Sequence, residues 1–139
     1  MGAAPLFPMF LKLEGRTCLV VGAGSIGEQK IRSLIDCGAH VHVVAPSASA
    51  AVTEAANRGA LVWSQRDFEP SDLDRVFLAV AATSSVEVNH AIYREAQRRG
   101  ILCNVVDDPP HCDFFYPAVV RRPRCRECLA AALRDRSSD

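Results

Sequence analysis

The sequence shows no excess of charge of either sign, no long apolar run and no basic leader. Sixteen Lys and Arg balance 16 Asp and Glu, for a formal net charge of zero, so nothing in the overall balance points to a nucleic-acid partner. No uninterrupted apolar stretch approaches the length that crosses a bilayer, which argues against a membrane role. The start, MGAAPLFPMFLKLEGR, lacks the basic n-region of a secretory signal, and Pro5 and Pro8 interrupt its apolar residues. Leu6 stands where a myristoylation site needs Ser or Thr. A cytoplasmic protein is expected. Internal repeats and low-complexity linkers are also missing, and 139 residues suit one domain with a core of its own.

Without a secretory signal, six cysteines are poor grounds for disulfides. Cys18 and Cys103 lie in apolar strand-like runs and Cys37 ends a helix-like one, so all three are expected as small core residues. His111, Cys112, Cys125 and Cys128 could be grouped as zinc ligands. Only one CxxC is present, however, and adjacent His and Cys side chains seldom converge on one ion. No metal ligand is assigned.

What the chain does have is an alternation of strand and helix patterns. TCLVV (17–21) is a short β-prone run that stops at GAGSIG. Residues 25–37 have helical spacing, with Gly27, Ile31, Leu34 and Ile35 on one stripe, and Gly38 is placed to cap the end. A second strand over 40–46 is closed by Pro46, and Ser47 or Ser49 can cap an alanine-rich helix ending near Gly59. LVW (61–63) is a third strand. VFLAVAAT (76–83) fits a strand buried on both faces. Residues 85–99 predict a helix with Val88, Ala91, Ile92 and Ala96 inward, ended by Gly100. ILCNVV (101–106) is the fifth strand, and FFYPAVV (114–120) could supply another. This order predicts an α/β chain, a Rossmann-like, doubly wound and mostly parallel sheet. The nucleotide-binding domain is expected over 1–122, followed by an Arg-rich tail over 123–139.

Gly22-Ala23-Gly24-Ser25-Ile26-Gly27 is a GxGxxG between the first strand and its helix, the context in which the pattern binds a dinucleotide. Gly22 allows the tight turn, Gly24 admits a pyrophosphate to the backbone, and Gly27 lets helix and sheet pack closely. The acidic residue that holds the adenosine ribose is absent. The second strand ends in Val44-Ala45-Pro46-Ser47, so Ser47 or Ser49 would have to serve, and the choice between NAD and NADP stays open. Thr83 leaves the fourth strand at the ligand-binding edge, where Ser84 or Ser85 could equally cap the next helix. Asn89, one turn on, can face either the crevice or solvent.

The segment NVVDDPPHCDFFYP (104–117) leaves the fifth strand at that same edge, which places Asn104, Asp107 and Asp108 beside the crevice. A carboxylate there can take a proton while hydride leaves to a nicotinamide. Asp before Pro is equally a turn signal. Spacing alone leaves both readings standing. His40 and His42 alternate along a strand as structural residues, and His90, among polar helix neighbours, is expected in solvent.

Together these stretches resemble the precorrin-2 dehydrogenase and sirohydrochlorin ferrochelatase family, the N-terminal domain of siroheme synthases. The resemblance runs from PLFPMFLKLEGRTCLVVGAGSIGEQKIRSLIDCGAHVHVVAP through RDFEPSDLD, FLAVAAT and VNHAI to GILCNVVDDPPHCDFFYPAVVRR, about residues 5–122. It implies NAD-dependent oxidation of precorrin-2, a carboxylate-rich tetrapyrrole, to sirohydrochlorin, with ferrous iron as a second substrate in many members. It assigns acid–base catalysis to Asp107, with Asn104 beside it at the substrate, and cofactor contacts to Gly22, Ala23, Gly24, Ser25, Ile26, Gly27, Thr83 and Val105. Asp108, ahead of Pro109, then shapes the turn, while His111 and Cys112 pack or bond locally. Members of the family are homodimers. The tail RRPRCRECLAAALRDRSSD lacks the features that continue the family's chain into its dimerisation region, so truncation or a frame shift is expected. A chain of that kind would bind NAD and be weakly active or inactive in isolation. A non-catalytic nucleotide-sensing module is the competing reading; such modules usually carry the missing acidic residue and lack an Asp-Asp-Pro-Pro segment.

Overall fold

The structure, a computed structural model, describes residues 4–116. Five strands alternate with three helices: β1 (Thr17–Val21), α1 (Ser25–Asp36), β2 (His40–Val44), α2 (Ala50–Asn57), β3 (Val62–Ser64), β4 (Leu78–Ala81), α3 (Val86–Arg99) and β5 (Leu102–Val105). Short 3-10 turns occupy Pro70–Leu73 and Pro109–His111. The sheet order is β3-β2-β1-β4-β5, and every pair is parallel. The expected Rossmann-like sheet is therefore present.

Register puts the site where it is. Val44, Val21, Ala81 and Val105 are successive partners across β2, β1, β4 and β5. Those four strands end in one row, so the loops that follow them all leave at one edge. Strand order reverses between β1 and β4, which is where sheets of this kind hold a ligand.

The central strands β1 and β4 read as apolar runs because both faces are covered. Cys18, Val20, Val41, Val43, Leu78 and Val80 face the side carrying Ile31 and Leu34 of α1 and Val52 and Ala55 of α2. Leu19, Val21, Val44, Ala79, Ala81, Cys103 and Val105 face Ile92 and Ala96 of α3, with Leu73. Among the described residues no helix is long and apolar enough to cross a membrane.

Several expectations need correction. Strand β2 stops at Val44, two residues early, because Pro46 has no N–H for a ladder. Strand β4 is shorter than 76–83; beyond it the Thr83 amide turns to the side chain of Asn89. Helix α3 is phased differently from its apolar pattern, with Val88 exposed and Asn89 buried. Cys37 is exposed rather than in the core, because it caps the end of α1. Residues 114–116 form no strand, and 117–120 lie outside the described residues. Cys112 instead makes a single antiparallel bridge to Asn104, covering part of the outer edge of β5. The Arg-rich tail, with Cys125 and Cys128, also lies outside the described residues.

The β3–β4 connection is pinned by one buried carboxylate. Asp72 accepts from Arg66 Nη1 at 2.9 Å and from the Glu69 amide at 2.8 Å, closing a capping box over the 3-10 turn. Burial alone would raise the Asp72 pKa, but these donors hold it below the ordinary carboxylate value. The unfolded chain then takes up the proton first as pH falls, so this stabilisation is present at neutral pH and lost in acid. Asp72→Asn should cost about 1–3 kcal/mol at neutral pH. Urea melts at several pH values should also show a shallower loss of stability below about pH 4 in the variant.

Candidate active site

The first component is the turn after β1. Gly22 has φ +103°, and a Cβ there would lie 2.4 Å from the Ala82 carbonyl oxygen. A Cβ on Gly27 would lie 2.4 Å from the Gly22 carbonyl oxygen. Both glycines are thus required by the backbone packing of β1, β4 and α1. Gly24 differs. A Cβ on it would meet no heavy atom within 4 Å, so the space beside its backbone is open.

Gly24 caps α1 without a side-chain hydrogen bond. The amides opening the helix therefore keep their capacity for an anion, and the helix dipole favours one there. Ser25 is exposed beside them and Ile26 is 44% exposed. An open cradle over uncapped amides fits a pyrophosphate. Ala23 is buried, and its carbonyl accepts from the Ser49 amide at 3.1 Å, which ties the turn to the start of α2. Ser49 Oγ accepts from the Val52 amide at 3.3 Å as the α2 cap, leaving Ser47 as the exposed hydroxyl after β2.

The second component is the turn after β4. Asn89 Oδ1 accepts from the Thr83 hydroxyl at 2.6 Å and its amide at 3.1 Å, while Asn89 Nδ2 donates to the Thr83 carbonyl at 3.1 Å. Ser85, not Ser84, caps α3 through the Val88 amide. Thr83 thus stands at the crevice with its polar groups held by a buried amide on α3. Asn89→Ala would strand these partners and should destabilise the chain by about 1–3 kcal/mol in a denaturant melt.

The third component is the turn after β5. Asp107 has φ +60°, the left-handed region that Asp and Asn tolerate better than other side chains. Its side chain is exposed, and among the described residues no hydrogen bond engages its carboxylate. Its neighbours are committed. Asn104 is buried, and its Nδ2 donates to the Phe114 carbonyl at 2.8 Å. Val105 is buried, and its carbonyl accepts from the Asp108 amide at 3.2 Å and Cys112 Sγ at 3.1 Å. Asp113, the third carboxylate, accepts from the Cys103 amide at 3.0 Å.

Asp108 faces two imidazoles. His90 Nε2 lies 2.8 Å from its Oδ2, and His111 Nδ1 lies 3.0 Å from its Oδ1. The hydrogen bonds from His111 and then His90 hold the Asp108 carboxyl below its ordinary value. His90 is therefore not merely solvated, and His111 bonds locally as expected.

Three thiols, Cys18, Cys103 and Cys112, are unsuited to nucleophilic work. Burial pushes Cys103 up to about 12 and Cys18 up to about 11, and it raises Cys112 as well. The carboxylates and the glycine turn are left as the chemical groups of this edge.

Sequence reasoning placed the glycine turn, Thr83, Val105 and the Asn104–Asp108 segment at the carboxyl edge, and the structure brings all of them to it. Asn104 and Val105 are there as buried residues with their named polar atoms engaged. The structural role of Asn89 was left open by the sequence. The His90–Asp108–His111 grouping was missed, because 18 residues separate His90 from Asp108 and no spacing rule joins them.

Comparison with known proteins is consistent with this geometry. A family model described as "Putative NAD(P)-binding" matches residues 9–118. A siroheme synthase of Photorhabdus laumondii is 41% identical over 125 residues, covering 90% of this chain and 27% of its own. A siroheme synthase of Methylococcus capsulatus is 44% identical over 115 residues, 83% of this chain and 24% of its own. This chain thus spans about a quarter of the length of these curated relatives. Among solved structures, SirC, a precorrin-2 dehydrogenase, superposes with a TM-score of 0.74 at 27% identity, over 96% of this chain and 70% of that one.

Proposed function

Because this chain belongs to the NAD(P)-binding family whose model spans residues 9–118, we propose that it binds NAD at the turn after β1 and oxidises precorrin-2 to sirohydrochlorin. The observation that carries this reading is the common edge: the glycine turn and Asp107 leave β1 and β5, strands separated only by β4. Two strand spacings are about 10 Å, a span suited to a tetrapyrrole lying between cofactor and carboxylate. The siroheme synthases and SirC named above support the choice of substrate.

Bound NAD would supply the hydride acceptor. Gly22, Ala23, Gly24, Ser25, Ile26 and Gly27 would hold its pyrophosphate, and Ser47 would take the ribose position that an acidic residue fills elsewhere. Thr83 and Val105 line the nicotinamide side, with Thr83 kept in place by Asn89. Asp107 would accept the proton that leaves precorrin-2, so the two hydrogens removed are accounted for as one hydride to the cofactor and one proton to the carboxylate. Asn104 serves the substrate side by fixing the segment through Phe114. The same carboxylate can accept a pyrrole proton when ferrous iron enters sirohydrochlorin. The reading places the protein in the cytoplasm.

Anaerobic incubation with precorrin-2 and either NAD or NADP, followed through the tetrapyrrole spectrum, tests the proposal. Sirohydrochlorin should form with NAD when protein is in excess over substrate. Tight NAD binding with no conversion would leave a nucleotide-sensing module or the inactive chain expected of a truncated member.

A further inference from the structure

The three ligand-type side chains beside Asp107 carry an inference of their own. His90 comes from the first turns of α3, Asp108 from the turn after β5, and His111 from the end of the Pro109–His111 3-10 turn. Their nearest nitrogen and oxygen atoms all lie within 4.8 Å of one another. We propose that His90, Asp108 and His111 form a docking site for a divalent first-row transition-metal ion.

Ligand chemistry and distances both favour this. Two imidazoles and one carboxylate are a donor set that suits borderline ions such as Fe²⁺, Co²⁺, Ni²⁺ and Zn²⁺. The His–Asp separations of 2.8 and 3.0 Å are close to the edge of an octahedron built with bonds of about 2.1 Å, which is about 3.0 Å. An ion would thus take the place of the two protons that now bridge imidazole and carboxylate.

The backbone prepares the arrangement. Pro109 and Pro110 fix the turn, and the His111 amide donates to the Asp108 carbonyl at 2.9 Å. The rings now stack at 4.1 Å and 20°, so they must fan apart to share an ion. Their side chains are 30% and 33% exposed, which leaves room for that rotation. Three ligands leave further positions for water or an incoming macrocycle, so the ion is held exchangeably rather than enclosed.

The role of this ion rests on the proposed function. One residue from Asp107, the site would hold a metal beside the tetrapyrrole before insertion. Ion binding itself does not depend on that reading and is measured without NAD or tetrapyrrole.

The probe is Co²⁺ alone, titrated into the full chain carrying Cys125→Ser and Cys128→Ser, which removes the CxxC as a competing ligand pair. Calorimetry should show one site, with visible d–d bands and no thiolate-to-cobalt charge transfer. His90→Gln with His111→Gln should weaken binding at least about tenfold, with NAD binding retained as the folding control. Asp108→Asn, nearly the same shape, should weaken it as well. In the unsubstituted pair of histidines, paramagnetic Co²⁺ should broaden the imidazole resonances of His90 and His111 and leave those of His40 and His42 sharp. That readout stands even if a variant fails to fold. No Co²⁺ binding, unchanged affinity in a folded variant, or equal broadening of all four histidines would overturn the proposal.

Discussion

Asp107→Asn should lower the rate of precorrin-2 oxidation by about 10²–10⁴-fold while leaving NAD affinity unchanged. The substitution is informative because of the backbone. At φ +60° most side chains are strained, and Asn is the replacement that tolerates this region as Asp does. The variant therefore keeps the turn and removes only the carboxylate's ability to take a proton. Asp107→Ala would mix lost chemistry with added strain. Since the side chain is exposed and no hydrogen bond among the described residues engages its carboxylate, the change should not propagate into the fold. Single-turnover kinetics alongside calorimetric NAD titration separate the two effects. Equal rates in the two proteins would remove Asp107 from the mechanism.

The second large effect separates two glycines of one motif. Gly27→Ala puts a Cβ 2.4 Å from the Gly22 carbonyl oxygen and 3.0 Å from its carbonyl carbon. Both are backbone atoms, so α1 must move away from β1, at a cost of about 1–3 kcal/mol or more. Thermal or urea melts should show it with no ligand present. Gly24→Val should do the reverse. Its φ of −79° suits an L-residue and its Cβ would meet nothing within 4 Å, so the fold should hold. The side chain would instead occupy the cradle and displace the pyrophosphate from the helix-start amides. Losing one charge-assisted hydrogen bond, about 1.5–3 kcal/mol, weakens binding about ten- to a hundredfold. A folded Gly24→Val that binds NAD as the natural chain does would place the cofactor elsewhere.

This contrast shows why much of the fold was legible. A parallel strand covered on both faces must be apolar throughout, so TCLVV and FLAVA announce themselves. Glycine marked where α3 ends. Face assignment within α3 failed at Val88 and stayed open at Asn89 because the 3.6-residue pattern counts apolarity, whereas the buried Asn89 satisfies the Thr83 turn. Cys37 failed for a related reason: apolar character continues to the helix end, but burial does not. At the site, the glycine turn is a local backbone device and therefore visible in sequence. The partnership of His90 with Asp108 arises only when β5 lies beside β4 and returns under α3, so no local pattern encodes it. The resemblance had already set Asp107 apart from Asp108; the structure adds that the Asp107 side chain is exposed while Asp108 faces two imidazoles.

The most direct test of the account is to count NADH against sirohydrochlorin in one anaerobic turnover, with protein in excess over precorrin-2 and NAD present. The account predicts that one NADH appears for each sirohydrochlorin formed, and that both vanish together in Asp107→Asn. Sirohydrochlorin appearing without NADH, or bound NAD with neither product, would contradict it.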